Sequence, residues 1–232
     1  MAGEQQFQLP DLTLIRQYYD CGRYLDAYKL SRQCWDHPEL ADHLSITDTL
    51  LAARLARNLG GGAQARWLLQ KAKRRAPHDP EVQYYARDIF DRWSELDDLV
   101  YYELHPTLTD DPVLEASYQA MQAQSWAGVR DFARAHACLD KAQRLNVDHA
   151  WVTSCASAVL LLEDRWEEAL ASAEIAVSLQ PLLYYTVSSQ VEALAHLGRF
   201  GEAAERAAHA ARHGQSAHLV ALACWYLAAM AE

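Results

Sequence analysis

The chain contains 232 residues, of which 51% are apolar, and this fraction is too high for an intrinsically disordered protein. The sequence has no run of eighteen uncharged apolar residues, the length needed to span a bilayer. Residues 1–10 lack the basic start and apolar core of a secretion signal. The net charge of −10 disfavours nucleic-acid binding because the acidic excess repels phosphate. Five cysteines without a CxxC pair indicate reduced thiols, so we expect a cytoplasmic protein that binds neither membrane nor nucleic acid.

After an N-terminal tail of residues 1–7, the chain repeats one short motif. Each clear copy has a turn or polar residue, an aromatic residue two positions later, and an alanine three positions after that. The clear copies are Gly22–Ala27, Arg130–Ala135, Asp164–Ala169 and Gly198–Ala203. The closing alanines of the last three copies are spaced 34 residues apart, which indicates an internal repeat of that length.

Two weaker copies fill the space between the first clear copy and the others. Gly60–Ala65 keeps the glycine and the alanine but has Gly62 in place of the aromatic residue. Ser94–Leu99 has leucines at both signature positions, yet Leu99 lies 34 residues after Ala65 and 36 before Ala135. The repeat period therefore continues through the middle of the chain.

The motif has a physical meaning in a hairpin of two helices. The aromatic side chain fills the space between the helices, and the alanine lets their backbones approach closely. Pro77 and Pro181 each follow a signature alanine by twelve residues, where a proline ends the second helix of a hairpin. The pattern thus predicts a stack of helical hairpins.

The motif and its period resemble the tetratricopeptide repeat (TPR) family over residues 8–217. The resemblance implies an all-α, right-handed α–α superhelix, that is, a TPR-like solenoid of six hairpins, followed by a C-terminal helix over 218–232. The chain departs from the family pattern by lacking Trp at the fourth and Gly at the eighth repeat position in nearly every copy. The expected units are 8–41, 46–79, 80–113, 116–149, 150–183 and 184–217.

The third unit is predicted to be irregular. Pro106 and Pro112 flank a polar segment and should cut the second helix of this unit short. We expect Glu103–Asp111 to cross between units without regular structure. This crossing is either an eroded repeat or a functional hinge that bends the superhelix.

No motif in the chain indicates catalysis or a bound metal or cofactor. There is no HExxH, zinc-binding Cys/His spacing, GxSxG or phosphate-binding loop. The glycines of Gly60–Gly62 fall where a hairpin turn is required, and His209 and His213 share a helix face without a third ligand nearby. We therefore expect a protein that is not an enzyme.

The resemblance also indicates where a partner would bind. In TPR proteins the first helices of the hairpins line a concave groove, into which the second, fifth, ninth and twelfth repeat positions point. No unit has the Lys and Asn pair with which some relatives bind chaperone tails, and ordinary packing between repeats is the alternative explanation for these positions. The candidate groove residues are Arg16, Tyr19, Arg54, Arg57, Tyr84, Asp88, Gln124, Trp151, Tyr185, Ser188 and Glu192.

The segment from Ser216 onward predicts a seventh first helix without a mate. It is apolar nearly all round, whereas the terminal helix of a solenoid usually has a polar outer face. The segment is explained by a longer parent protein, by self-association or by a simple apolar cap. The candidate self-association residues are Leu219, Leu222, Trp225, Tyr226 and Leu227.

These features favour a non-catalytic scaffold that holds a peptide or a partner helix in the concave groove. One alternative is an interaction domain of a larger enzyme whose catalytic part lies elsewhere. A second alternative is a homodimerisation module that acts through the C-terminal helix. The sequence identifies no particular partner.

Overall fold

The computed structural model describes residues 12–35, 42–89, 95–145 and 148–229. These residues form thirteen α-helices and no strand, so the predicted all-α helical-repeat superhelix is confirmed. The hairpins are α1 (Leu12–Asp20) with α2 (Tyr24–Trp35), α3 (Ile46–Asn58) with α4 (Gly62–Arg75), α5 (Pro80–Ile89) with α6 (Glu95–Leu104), α7 (Pro112–Gly128) with α8 (Phe132–Leu145), α9 (Ala150–Leu162) with α10 (Trp166–Leu179) and α11 (Tyr184–His196) with α12 (Phe200–His213), followed by α13 (Ala217–Ala229). We number these hairpins units 1 to 6.

The first residue of five motif copies adopts the same left-handed turn. The φ angles are 73° at Gly22, 87° at Gly60 and 74° at Gly198, a region that glycine enters without steric cost. Arg130 and Asp164 occupy the same place with φ of 63° and 62°. The turn geometry, rather than the glycine itself, is therefore what the repeat preserves.

The small residues of the motif lie where the helices cross. The closing alanines of five copies, Ala27, Ala65, Ala135, Ala169 and Ala203, are all fully buried. Such contacts let neighbouring helices pack closely along the stack. The second helices before Pro77 and Pro181 end at Arg75 and Leu179, as the prolines predict.

The aromatic residue of the motif packs less uniformly than expected. Tyr24 is 3% exposed, but Phe200 is 50% exposed, so the prediction that it fills the space between helices is wrong for unit 6. In unit 5 the equivalent Trp166 is covered by His196 of the next unit, with 5.7 Å between ring centroids. The counterpart of His196 one repeat further on, Met230, lies outside the described residues.

In the third unit the segment between α6 and α7 is held by hydrogen bonds with α7. Helix α6 ends at Leu104, and within the described residues its backbone does not approach that of α5 closely. Side chains join the two helices instead, as in the ion pair of Arg87 with Asp98 (2.9 Å). The buried carboxylate of Glu115 on α7 accepts hydrogen bonds from the backbone N–H groups of Leu108 (2.8 Å) and Thr109 (3.1 Å). Two further side chains of α7, Tyr118 and Gln119, donate to the carbonyls of residues 105 and 106. These bonds fix residues 105–109, which we call the corner of unit 3, so this segment is not a loose hinge.

The two ends of the stack contact each other. The amide of Gln215, between α12 and α13, accepts a hydrogen bond from the backbone of Asp26 and donates one to its carboxylate, both at 3.1 Å. Leu183, before α11, joins Ile15 and Tyr24 of unit 1 in one core cluster. The superhelix is therefore closed, which the repeat pattern did not predict.

Helix α13 packs on unit 6 along one face. Leu219 is fully buried and Tyr226 is 5% exposed, so neither can belong to a self-association surface, because both side chains complete the core against α11 and α12. Trp225 and Leu227 are 63% and 51% exposed. Among the described residues no helix is long and apolar enough to cross a membrane.

Candidate partner-binding surface

Closure of the superhelix brings aromatic side chains from several units onto the inner surface. The guanidinium of Arg54 on α3 lies between the rings of Tyr19 and Tyr85, with 4.6 Å to each ring centroid. Cation–π contacts at this distance are attractive, and burial strengthens them. The side-chain amide of Asn58 donates to the hydroxyl of Tyr19 (3.2 Å) and to the carbonyl of Arg54 (3.0 Å), which fixes both groups.

A second aromatic pair lies on the inner side of units 5 and 6. The rings of Trp151 and Tyr185 are nearly perpendicular, with 5.3 Å between their centroids. Tyr185 and Tyr19 pack against the same core cluster, which is formed mainly by units 1 and 2, so the two groups of side chains are continuous. Tyr19, Arg54, Tyr85, Trp151 and Tyr185 together form what we call the inner aromatic surface.

Polar atoms without partners lie at one end of this surface. The indole N–H of Trp151 and the hydroxyl of Ser154, both on α9, are buried and make no hydrogen bond within the described residues. Ser154 is only 2% exposed. Buried polar groups are normally satisfied, so these two groups are exceptions within the described part of the chain.

Carboxylates offset the arginines of the inner surface. Arg16 pairs with Asp48, with 3.3 Å between Nη2 and Oδ1. Partial burial raises the pKa of Asp20 despite the attraction of Arg54 and Arg16. Burial likewise raises the pKa of Glu81, although a hydrogen bond with Thr47 and the charge of Arg54 oppose the shift. The basic character that the arginines suggest for unit 2 is therefore largely neutralised.

The predicted groove residue Glu192 of unit 6 lies in a separate cleft. Glu192 and His196 on α11 line a shallow depression of about 410 Å³ together with Arg130, Leu161 and Asp164. Part of the Glu192 side chain reaches solvent. Neighbouring residues nevertheless cover the carboxyl enough to raise its pKa, although the charge of His196 opposes the shift.

The other predicted groove residues are dispersed. Tyr84 is 6% exposed and packs with Tyr102 and Tyr118 in the core of unit 3, so it is not available on a surface. Ser188 is half-buried and donates its hydroxyl to the carbonyl of Tyr185 at 3.2 Å. Gln124 and Arg57 are half-buried, and the side chain of Asp88 lies outside the described part of the structure.

Sequence reasoning missed Tyr85 and the carboxylates around Arg54. Tyr85 takes the inner position expected for its neighbour Tyr84, because adjacent residues of a helix point about 100° apart and unit 3 is not packed like the others. Asp20 and Glu81 come near enough to Arg54 to be affected by its charge only after the units stack. A signal was present in the doubled aromatic Tyr84–Tyr85, of which one ring must face away from the core.

The described residues contain no group of three or more His, Cys, Asp or Glu side chains that could hold a metal ion. The rings of His209 and His213 lie 4.5 Å apart on α12. Two histidines without a third ligand are an incomplete site.

Comparison with known proteins shows the fold. No model of a known protein family matches the chain, and no curated protein sequence matches it. The chain is similar to TTC0263, a TPR protein of Thermus thermophilus, with a TM-score of 0.60 and 18% identity over 81% of this chain and 100% of that chain. The TPR2AB domain of yeast Sti1, in a complex with pHSP90, aligns over 91% of this chain and 95% of that chain with 14% identity, but the TM-score of 0.41 is too low to support an argument. The resemblance to TPR proteins is thus confirmed at the level of the fold.

Proposed function

We propose that the protein is a non-catalytic scaffold that binds an extended segment or a helix of another protein along the inner aromatic surface. The observation that supports this function is the convergence of Tyr19, Arg54, Tyr85, Trp151 and Tyr185, which come from five of the six units. Aromatic and arginine side chains contribute most of the binding energy in protein interfaces. A TPR-like fold supplies a rigid frame for such side chains.

The chemistry of the surface indicates the kind of segment that would bind. The aromatic rings can cover apolar side chains, and the carboxyls of Asp20, Glu81 and Glu192 favour basic residues over acidic ones. The net charge of −10 acts in the same direction at long range.

The test is a selection from a random peptide library on the 232-residue chain. We expect the selected peptides to be enriched in basic and apolar residues and to lose about tenfold or more in affinity on Trp151→Ala, since removal of an aromatic hot spot costs about 2 kcal/mol. Trp225→Ala is the matched control, because Trp225 is 63% exposed on α13, away from the inner surface. Peptides that bind Trp151→Ala and the wild type equally would contradict the proposal.

A second candidate function is self-association through the C-terminal end of the stack. It is favoured by the exposed apolar side chains of α13, notably Trp225 and Leu227. Light scattering coupled to size-exclusion chromatography should show a wild-type dimer and a monomeric Trp225→Glu/Leu227→Glu variant. A wild type that remains monomeric at high micromolar concentration would exclude this function.

A further inference from the structure

The outer edge of unit 6 carries a narrow cleft between the last two helices. Gly201, Glu205, Ala208 and Arg212 lie along one side of α12, and Leu227 of α13 closes the cleft, whose volume is about 480 Å³. The small residues let another helix approach the α12 backbone closely. Leu227 and Val220, half exposed on α13, extend the apolar part of this edge.

The charges on this edge are arranged symmetrically. Glu205 and Arg212 are exposed and take part in no ion pair within the described part of the chain. They are seven residues apart, about two helical turns, and the midpoint between them falls at Ala208 and His209, which also line the cleft. An edge with opposite charges at equal distances from its centre is complementary to itself when it is turned end for end.

We propose that this edge is an isologous dimer interface, in which α12 packs antiparallel to α12 of a second copy of the chain. Glu205 then lies opposite Arg212 of the partner subunit, and the reciprocal pair forms on the other side of the twofold axis. The inference rests on the self-association proposed above and defines its geometry. It is independent of binding at the inner aromatic surface.

Helix α13 fits the same symmetry. Val220, Cys224 and Leu227 follow one another at helical spacing on the side next to the cleft, and Cys224 is exposed near the middle of α13. A twofold axis that crosses α12 at Ala208 also crosses α13 near Cys224. Val220 therefore packs against Leu227 of the partner subunit, and Cys224 lies close to the partner's Cys224.

The interface that follows differs from the surface that the sequence suggested. Leu219 and Tyr226 are core residues, and Trp225 lies on the opposite side of α13 from Leu227. Glu205, Arg212 and Cys224 take their place as the residues that determine the pairing.

Charge exchange tests this geometry on the full 232-residue chain by sedimentation equilibrium under reducing conditions. Glu205→Arg and Arg212→Glu should each weaken the dimer about tenfold or more, because each places like charges opposite one another twice per dimer. The double variant Glu205→Arg/Arg212→Glu should restore the wild-type affinity. Ile175→Glu, at a similarly exposed aliphatic residue of α10, is the control and should leave the affinity unchanged.

The outcomes separate the geometry from self-association itself. A monomeric wild type would overturn both. A wild-type dimer that ignores the single charge changes, or a double variant that fails to recover, would overturn the antiparallel pairing while self-association stands.

A cross-linking experiment provides a second measurement. In a Cys21→Ser/Cys34→Ser background, which removes both cysteines of unit 1, a short bismaleimide should link the two copies of Cys224 in high yield. Cys224→Ser should abolish the product. Absence of a cross-link in a dimeric sample would contradict the proposed axis.

Discussion

Unit 3 and the three units that follow it hold their helices together in different ways. In units 4 to 6 the closing alanines are fully buried, so the helices pack through close backbone contact. In unit 3 the backbones of α5 and α6 stay further apart, and the side chains of Arg87 and Asp98 join the two helices through an ion pair. The segment after α6 is held by hydrogen bonds with Glu115, Tyr118 and Gln119. The comparison shows that directional polar bonds can replace close packing where a solenoid changes course.

The largest expected effect is at the corner of unit 3. Glu115→Ala leaves two backbone N–H groups without their acceptor and removes one of the two acceptors of the Gln119 amide, so we expect a loss of about 3 kcal/mol in the free energy of unfolding. Urea denaturation followed by circular dichroism measures the change. Glu174→Ala, at an exposed position of α10, is the control and should cost less than about 0.5 kcal/mol. Equal effects at the two sites would show that the corner depends on packing after all.

The packing of the regular units gives the next effect. Ala169→Leu inserts a larger side chain at a fully buried helix crossing and should destabilise the protein by about 2 kcal/mol, since the helices cannot separate without disturbing both neighbours. Ala171→Leu, two residues further along α10 and exposed, should be nearly neutral. Thermal denaturation of the two variants distinguishes them. A tolerated Ala169→Leu would mean that the units are less tightly packed than the structure shows.

The first and last units are joined by hydrogen bonds, as the corner of unit 3 is, but these bonds lie closer to solvent. Gln215→Ala removes both side-chain hydrogen bonds to Asp26 and should cost about 1 kcal/mol. Small-angle X-ray scattering should also show a larger radius of gyration as the ends separate. Gln143→Ala on the exposed side of α8 is the matched control, and a variant at position 215 as stable and compact as the control would contradict the closed form.

In the turns of the regular units, one substitution should raise the free energy of unfolding rather than lower it. Arg130 has a φ angle of 63°, which costs a non-glycine residue about 1 kcal/mol, so Arg130→Gly should stabilise the protein by about 0.5 kcal/mol after the entropy of the unfolded chain is included. Gly198→Ala introduces the same strain into unit 6 and should destabilise by about 1 kcal/mol. Opposite signs at the two equivalent positions are the decisive result, and chemical denaturation can measure them.

The smallest effect concerns the inner face of unit 3. Burial raises the pKa of Glu81 in the folded state, so its ionisation destabilises the fold as pH rises through that value. Glu81→Gln should therefore be more stable than the wild type at neutral pH, and the advantage should disappear below the pKa of 4.5 that glutamate has in the unfolded chain. Denaturant titrations between acidic and neutral pH check this. A difference that does not vary with pH would contradict the raised pKa.

Much of the fold was predictable because its signal is local and repeated. Five copies of the motif place an alanine at each helix crossing and a left-handed residue at each turn, and both are short-range properties of the chain. The corner was only half predictable. Pro106 and Pro112 end the helix, but the role of Glu115 depends on where α7 lies once it has packed.

The candidate site was less predictable, because it depends on contacts that are distant in the sequence. Asp26 and Gln215 are separated by 189 positions, and nothing in either motif copy indicates that they meet. Without that contact Tyr185 would not reach the cluster that contains Tyr24. The choice between Tyr84 and Tyr85 failed for a related reason, since the family's spacing assumes a regular hairpin and unit 3 is not one.

The contact between the first and last units has a consequence for how the protein unfolds. In an open solenoid each repeat interacts only with its neighbours, so the terminal repeats fray first and independently of each other. Here the backbone of Gly22 and Asp26 in unit 1 is bonded to Gln215, just before α13, so fraying at one end releases the other. Hydrogen exchange in α1 and α11 should accordingly be correlated, as if the array were a ring with no end repeats at all.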